Sequence, residues 1–406
     1  MDENQDTEGK SIGNGTVIHG DCIEELQNLD RNSVETVVTD PPYGLAFMGK
    51  EWDDFEPKEY QEFCEEWGEA VLRVLKPGGF LLAFSGTRTY HRMVCGLQNT
   101  GFEIRDMIAW MYGNGFPKGY NFSRFNDEWG GWSTTLKPAH EPVVVAQKPR
   151  EGTYQENVKR HGVGGLNIGA CRIGGGKGES RNGERTAEKR YTENGSTNIA
   201  AKPGPRGGSS NGRWPANVIL DPIAATQLDR QTGELSSGIL KPEHEATSNP
   251  AKNCYGEYKR SITSDTYGDS GGASRFFYSA KAATSERNAG LDDENDIATL
   301  KPINLMRYLV RLVTPPEGTV LDPFAGSGTT GCACEVESFD YVLIEKRERF
   351  VNEIISQRLE YWSDPENWGD LKDHNALPDP STAESEESSA DAMDESTLDQ
   401  FVEGES

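Results

Sequence analysis

Two rhythms of apolar residues alternate along much of the chain. Thr16–His19 is a short apolar run, Cys22–Leu29 has the spacing of a short helix, and Thr36–Thr39 is a β-branched run that stops at Asp40-Pro41-Pro42. Helical spacing returns over Glu59–Leu75 and is broken by Lys76-Pro77-Gly78-Gly79, a strong stop signal. Phe80–Phe84, Glu103–Trp110 and Pro142–Gln147 are further apolar runs of strand length. Apolar strands alternating with helices predict an α/β fold with a mostly parallel sheet, covered by helices on both faces.

After Arg150 the pattern dissolves. Gly162–Gly212 is rich in Gly, Asn, Ser and Arg, with short apolar islands at Leu166–Ile168, Arg213–Ile219 and Arg275–Tyr278. Regular spacing resumes at Lys301: a helix over Pro302–Val313, a strand at Thr319–Asp322, a helix over Gly328–Val336, a strand at Tyr341–Glu345 and a closing helix over Val351–Tyr361. The division expected is therefore 1–150 and 299–362 as two halves of one α/β domain, 151–298 as a loop-rich insert, and 363–406 as a tail. No internal repeat is visible.

Composition sharpens this division. Of 406 residues only 34% are hydrophobic, too few for the whole chain to pack as one globule. No apolar run is long enough to span a membrane, and the polar, acidic start MDENQDTEGK is unlike a signal peptide. Seven scattered cysteines do not make a disulfide framework, so the chain reads as soluble and intracellular. The net charge of −25 is uneven: 363–406 carries −13, whereas 151–290, with nineteen Lys/Arg against fifteen Asp/Glu, carries +4. The tail is acidic and Ser-rich and is expected to be disordered. The basic insert suits a polyanion, although a solvated Gly-rich loop has the same composition. Pervasive acidity with few lysines resembles the proteins of salt-loving organisms, such as haloarchaea and their viruses.

Two constellations carry chemistry. Thr319–Phe324 leads into Gly326-Ser327-Gly328-Thr329-Thr330-Gly331, a Gly-x-Gly-x-x-Gly turn between strand and helix, and Glu345 ends the next strand. Such glycines let backbone approach a ligand, and a strand-end carboxylate can grip ribose hydroxyls. The spacing alone also fits a nicotinamide-dependent oxidoreductase. Yet only one more helix follows Glu345, so the rest of the sheet must come from upstream and the order is circularly permuted. The second constellation is Asp40-Pro41-Pro42-Tyr43-Gly44, at the carboxyl end of a buried strand, where α/β sheets place their sites. The Asp40 carboxylate and the Pro41 carbonyl can both accept hydrogen bonds from one planar amine, and Tyr43 offers a face for a base to stack on.

These residues resemble the β subgroup of the DNA amino-methyltransferases. Asp40–Tyr43 is similar to the family's catalytic tetrapeptide, and Asp322-Pro323-Phe324-Ala325-Gly326-Ser327-Gly328-Thr329-Thr330 to its cofactor loop. Lys301-Pro302 matches the element before that loop, Gly20-Asp21 the pair that contacts the cofactor's adenine, and Arg73–Gly79 a joining stretch. The order, with the catalytic motif first and the cofactor loop last, is the β subgroup's. The chain departs from the family's His-Pro-Thr-x-Lys-Pro, having Ile297-Ala298-Thr299-Leu300-Lys301-Pro302.

The resemblance implies a circularly permuted Rossmann-like methyltransferase sheet with an inserted target-recognition region. It implies S-adenosylmethionine as cofactor, held by Asp21, Thr299, Lys301, Asp322, Phe324, Gly326, Ser327, Gly328, Thr329 and Glu345. The catalytic residues would be Asp40, Pro41, Pro42 and Tyr43, acting on a base flipped out of double-stranded DNA. In the insert Arg172, Lys177, Arg181, Arg185, Lys189, Arg190, Lys202, Arg206 and Arg213 are the candidates for phosphate and base contacts. The Asn167–Arg172 and Arg213–Asn217 islands are expected to be structural anchors. No metal is implied, because the exocyclic amine is itself the nucleophile and Cys332 and Cys334 have no partners at zinc spacing. Asp at the first motif position is commoner in adenine-N6 enzymes and Ser in cytosine-N4 enzymes of this subgroup, so adenine is expected and cytosine is the alternative. A homodimer and a partner restriction nuclease are further implications. An inactive DNA-binding relative is disfavoured by the intact Asp40–Tyr43, and the oxidoreductase by the permuted order.

Overall fold

Five of the six residues of Val34–Thr39 are buried, which requires cover on both faces of the sheet. The computed structural model supplies that cover. It describes residues 9–45, 53, 55–117, 119–125, 127–174, 184–185, 205–206, 213–236, 246–247, 259–260, 270–280, 284–291 and 300–372. Within these the chain forms two compact units.

The first unit comprises 1–171, 216–226 and 278–406. Its elements begin with β1 (Lys10–Ile12), β2 (Gly15–His19), α1 (Cys22–Asn28), β3 (Val34–Thr39), α2 (Pro57–Val74), β4 (Leu75–Phe84), α3 (Tyr90–Thr100), β5 (Glu103–Met111), β6 (His140–Gln147) and α4 (Tyr154–His161). There follow β7 (Val218–Leu220), α5 (Pro222–Thr232, which crosses into the second unit), β8 (Tyr278–Ser279), α6 (Ile303–Val313), β9 (Thr319–Asp322), α7 (Thr329–Glu337), β10 (Asp340–Glu345) and α8 (Ser356–Trp362). The strands make one ten-stranded sheet in the order β1-β2-β10-β9-β3-β4-β6-β5-β7-β8. All neighbours are parallel except across β1 and β6, which run against the rest. The permuted order is visible in the pairing: β9, near the end of the described chain, sits between β10 and β3.

Period-two alternation splits the core between the two faces. Val37, Leu81, Ala83 and Val144 pack with Tyr60, Trp67 and Val71 of α2 and Leu97 of α3. Val38, Leu82, Phe84 and Val143 pack with Leu305 and Leu309 of α6. A fully engaged ion cluster fastens α6 to α7: Arg307 Nε and Arg311 Nε donate to the two oxygens of Glu337 at 2.8 and 2.7 Å. The N-terminus of α6 is held by Glu286, whose carboxylate accepts from Ile303 N at 3.2 Å. These ties fix the start of α6, two residues after Lys301.

The elements match the hydrophobic pattern in the two catalytic halves, but β1, α4 and α5 are not among the expected elements, and three further differences stand out. Lys76-Pro77-Gly78-Gly79 ends α2 as expected but also lies within β4, because the strand follows the helix without a loop. Helix α3 is not among the expected elements; its buried face is only Met93, Gly96 and Leu97, a weak periodic signal. The tail expected to be disordered from 363 instead begins with a 3-10 helix, Pro365–Lys372. Trp368 explains it: its indole packs on the core and donates to Trp362 O at 2.8 Å. Residues 373–406 lie outside the described residues.

The second unit comprises 172–215 and 227–277. Its bounds are narrower than the expected 151–298, because hydrogen bonding draws short islands into the main sheet. Val218–Leu220 and Tyr278–Ser279 become β7 and β8, and Asn167 N donates to Leu312 O at 2.8 Å. Tyr278 then stacks on Tyr308 of α6 with ring centroids 4.1 Å apart. Described parts of the second unit include two-residue antiparallel strand pairs, such as Glu184–Arg185 with Pro205–Arg206, and the reciprocal bridge between Ile173 and Arg213.

Candidate active site

β3 ends at Thr39, directly before Asp40, and two prolines straighten the chain beyond it. The turn that follows is held by a carboxylate: buried Asp53 accepts from the backbone N–H groups of Tyr43, Gly44 and Leu45 at 2.7, 2.7 and 3.1 Å. Tyr60 of α2 donates its hydroxyl to Pro42 O at 3.1 Å. Gly44 sits at φ +64°, where a Cβ would strike the Tyr60 ring. The corner is thus set before any ligand arrives.

Four polar side chains meet there. Lys301 Nζ donates to Asp40 Oδ2 at 2.6 Å and lies 3.3 Å from Glu141 Oε2. The Tyr43 hydroxyl donates to Asp40 Oδ1 at 2.6 Å, accepts from Lys301 at 3.1 Å and lies 3.1 Å from Glu141 Oε2. Lys301 also sits 4.8 Å over the ring of Phe84. One ammonium thus serves two carboxylates. Burial pushes the pKa of Asp40 up and Lys301 pulls it back, but with Glu141 alongside it stays above the usual carboxylate range. Burial works against the Lys301 charge, yet the two carboxylates hold its pKa above the ordinary lysine value.

The neighbouring strand β9 ends in the glycine loop. Both oxygens of Asp322 are engaged: Oδ1 accepts from Thr39 Oγ1 at 2.7 Å and from Phe324 N at 3.1 Å, and Oδ2 accepts from Thr330 Oγ1. Burial pushes its pKa up to about 6. Gly326 and Gly328 take the left-handed φ values +55° and +74°. A Cβ at Gly326 would meet nothing nearer than 3.9 Å, so the loop opens onto free space there. Arg358 supports the loop from behind, donating to Ser327 O at 2.6 Å and Thr329 Oγ1 at 3.1 Å. Glu345, at the end of β10, accepts from Gly326 N at 2.8 Å and Arg347 N at 2.9 Å. Burial raises its pKa against those two N–H groups. On the adjacent strand end Asp21 caps α1, accepting from Ile23 N at 3.0 Å, and pairs with Lys346 at 3.0 Å. Burial would raise the Asp21 pKa, but Lys346 and the capped N–H outweigh it and leave it low.

Loop and corner line one cleft, open to solvent, with Asp40 and Lys301 beside Phe324, Gly326, Ser327 and Thr329. The open glycine backbone and strand-end Glu345 could hold a nucleoside-bearing cofactor in the cleft that Asp40 also lines.

The sequence candidates fall into three groups. Asp40, Tyr43, Lys301, Asp322, Phe324, Gly326, Ser327, Gly328, Thr329 and Glu345 are brought to this corner and loop, with Pro41 and Pro42 shaping the turn and Asp21 one strand further out. Arg172 and Arg213, in the second unit, stack on aromatic rings: Arg172 lies 5.6 Å from the centroid of Trp214 and Arg213 lies 5.0 Å from that of Phe276. Arg185 and Arg206 lie on paired short strands. Thr299, Lys177, Arg181, Lys189, Arg190 and Lys202 lie outside the described residues. Among the described residues no cluster of His, Cys, Asp or Glu could hold a metal ion. Sequence reasoning missed Asp53 and Glu141. Nothing distinguishes Asp53 from its acidic neighbour Asp54, and Glu141 leads an apolar run whose reversed direction the sequence does not show.

A permuted α/β sheet with an acidic proline corner beside a glycine cradle defines a class: enzymes that act on an amine with a nucleoside-bearing cofactor. Comparison with known proteins makes this specific. The chain belongs to the DNA methylase family (N6_N4_Mtase), which it matches over residues 34–357. It is a DNA methyltransferase, and S-adenosylmethionine is the methyl donor of such enzymes. Among its relatives is the type II methyltransferase M.HindIII of Haemophilus influenzae, 25% identical over 389 residues, spanning 84% of this chain and 94% of the relative. M.HinfI, a type II methyltransferase also of Haemophilus influenzae, is 30% identical over 159 residues, 36% of this chain and 41% of the relative. Similar solved structures include the cytosine-N4-specific PvuII DNA methyltransferase, at 16% identity and a TM-score of 0.48, covering 90% of this chain and 93% of that one. Another is the M1.HpyAVI–SAM complex, at 16% identity and a TM-score of 0.38, covering 85% and 99%.

Proposed function

We propose that the protein methylates the exocyclic N6 amine of adenine at a specific sequence in double-stranded DNA. The carrying observation is that Asp40, clamped between Lys301 and Tyr43, opens onto the cleft that the glycine loop lines. An Asp in the first position of the Asp40–Tyr43 motif supports adenine as the target base.

S-adenosylmethionine, when bound, supplies a methyl group on a sulfonium sulfur that leaves as a neutral thioether. Gly326, Ser327, Gly328 and Thr329 would cradle it, Glu345 would accept from its ribose hydroxyls, and Asp21 would contact its adenine. The target base must leave the helix to reach Asp40, at a cost of a few kcal/mol. Its amino group then donates to Asp40 and to the Pro41 carbonyl, which draws the nitrogen lone pair out of the ring. A carboxylate has about four acceptor sites, so Asp40 can take this donor while keeping Lys301. Lys301 favours the ionised form of Asp40, and Tyr43 supplies the stacking face once its hydroxyl releases Asp40. As the N–C bond forms, one proton leaves the amine toward Asp40, with Glu141 the next acceptor along.

The basic stretch 151–290, with Arg172, Arg185, Arg206 and Arg213, supports a DNA-reading role for the insert. The type II relatives support a modification enzyme paired with a nuclease, and a homodimer is the assembly we propose for it. The test is to methylate plasmid DNA at low and molar salt and identify the modified nucleosides by mass spectrometry. N6-methyladenine from the wild type and none from Asp40→Ala is the expected result. N4-methylcytosine would transfer the same chemistry to the other base. An optimum at molar salt would support the salt-adapted reading of the acidic surface.

A further inference from the structure

Exposed apolar surface is concentrated in one place. Among the described residues, six of the fourteen exposed large apolar side chains lie within Phe116–Leu136: Phe116, Tyr120, Phe125, Trp129, Trp132 and Leu136. Phe125, at 73% exposed, and Trp132, at 61%, stand far into solvent. Water does not favour such a display, and five of the six are aromatic.

The exposure is built into the backbone. The segment leaves β5 at Met111 and returns at His140 to start β6. Its two limbs are pinned together: Phe122 N donates to Trp132 O at 3.0 Å, Thr134 N to Tyr120 O at 3.3 Å, and Asn121 bridges to Ser133. Gly115 allows the close approach, since a Cβ there would overlap the carbonyl oxygen of Pro138. The rings brace one another, with centroids 5.5 Å apart for Tyr120 and Phe122, 5.8 Å for Phe122 and Trp129, and 5.4 Å for Trp129 and Trp132. None of these contacts folds the rings inward.

Topology fixes where the loop stands. β6 is antiparallel to β4 and β5, so its first residues lie level with the carboxyl ends of its neighbours. That is the edge carrying Asp40, and Glu141, the second residue of β6, is in the catalytic cluster. A run of ring contacts, Tyr112 to Trp110 at 5.6 Å and Trp110 to Phe84 at 6.5 Å, leads from the loop's base to the ring beneath Lys301. The charge also fits a polyanion: residues 112–139 hold Lys118, Arg124 and Lys137 against Asp127 and Glu128, a slight positive excess in a chain of net −25.

We infer that Phe116–Leu136 is an aromatic hook that stacks on the bases of the DNA duplex beside the target nucleotide. This rests on the DNA-methylating function above. A flipped base leaves its neighbours without a stacking partner, and exposed aromatic faces are sequence-tolerant partners for bases. The recognised chemistry is the unstacked base face, not the phosphate.

The test uses the full-length enzyme and a duplex containing its methylated site, first mapped on plasmid DNA, with 2-aminopurine at the target position. Phe125→Ala/Trp132→Ala is compared with wild type and with Trp132→Phe. We expect the double variant to lose at least tenfold in kcat/KM for DNA, through KM and the fluorescence rise on binding, with S-adenosylmethionine affinity and thermal melting unchanged; each lost stack supports a factor of this order. Trp132→Phe, which keeps a ring, should retain most of the wild-type value. Wild-type kcat/KM and fluorescence in the double variant would overturn the inference. So would a wild-type dimer that the double substitution turns into monomers with DNA binding intact, since the loop would then contact a second copy. A wild type that methylates no DNA would instead overturn the function on which the hook rests.

Discussion

The Asp40 corner and the glycine loop stand at the ends of adjacent strands of one sheet, but they are built by opposite means. The corner is made of side chains: Lys301, Asp40, Glu141 and Tyr43 come from three separated places in the chain and hold one another by charge and hydrogen bonds. The loop is made of backbone, with left-handed turns at Gly326 and Gly328 and its N–H groups and carbonyls tied to Glu345 and Arg358. The corner's chemistry therefore hangs on a few titrating groups, each with a large effect. The loop's function is spread over a shape, and single side-chain changes there should weaken binding more than turnover.

The sharpest way to break this contrast is to remove Asp40. Asp40→Ala should lower kcat by roughly 10²–10⁴-fold, the range for a group that both orients and stabilises the reacting atom. Binding of S-adenosylmethionine, measured by calorimetry, should be preserved, because the loop does not need the corner. Joint loss of binding and turnover would mean the two regions fold as one unit and the contrast is false.

Lys301 comes next. Lys301→Met removes the charge but keeps the stem over Phe84, and leaves Asp40 facing Glu141 without a counter-ion. Asp40 already has a raised pKa, and it must be ionised to work, so wild-type activity should fall as pH drops through that raised value. Without Lys301 the fall should begin at higher pH, with about tenfold to hundredfold loss at neutral pH and partial recovery under alkaline conditions. An unmoved pH–kcat profile would show that Lys301 does not set the charge of Asp40.

On the loop side, Glu345→Ala frees the Gly326 and Arg347 N–H groups and removes the strand-end acceptor. The dissociation constant for S-adenosylmethionine should rise by about tenfold, one charge-assisted hydrogen bond's worth, while kcat at saturation holds. A drop in kcat with unchanged affinity would move Glu345 to the catalytic side of the comparison.

The same contrast governs what could be read from the sequence. The loop was legible because its function is local: closely spaced glycines between a strand and a helix, with an acid at the next strand end. The Asp40 motif was legible for the same reason. Glu141 was not, although it precedes an apolar run that was recognised as a strand. In a parallel strand the leading residue lies at the edge away from the site, and only the reversal of β6 carries Glu141 to Asp40. Lys301 was identified as a cofactor residue, but its pairing with Asp40 spans 261 positions and needs the permuted sheet. The bounds of the second unit were hidden because strands as short as Tyr278–Ser279 carry no periodicity of their own. The helical start of the tail was hidden because a single tryptophan, Trp368, is the cause.

Asp322 tests the comparison most finely, because it lies between the two regions. It opens the loop motif, yet its oxygens take donors from Thr39 of the corner strand and from Phe324 and Thr330 of the loop. This makes it a tie between the regions as well as part of the cleft's lining. Its folded pKa of about 6 lies above the ordinary 3.8, so its contribution to stability is complete below the latter and lost as pH rises through the former. The shift of about two pKa units sets an upper bound of about 3 kcal/mol on that loss. Asp322→Asn removes the charge, keeps an oxygen for Thr39 and Phe324, and lets the Thr330 hydroxyl turn to accept. The melting temperature of the variant relative to wild type should therefore rise between about pH 4 and pH 7 and then level off, with affinity for S-adenosylmethionine unchanged. A flat difference would mean that the two threonine hydroxyls keep Asp322 ionised throughout, and a loss of affinity would return it to the cofactor's own ligands.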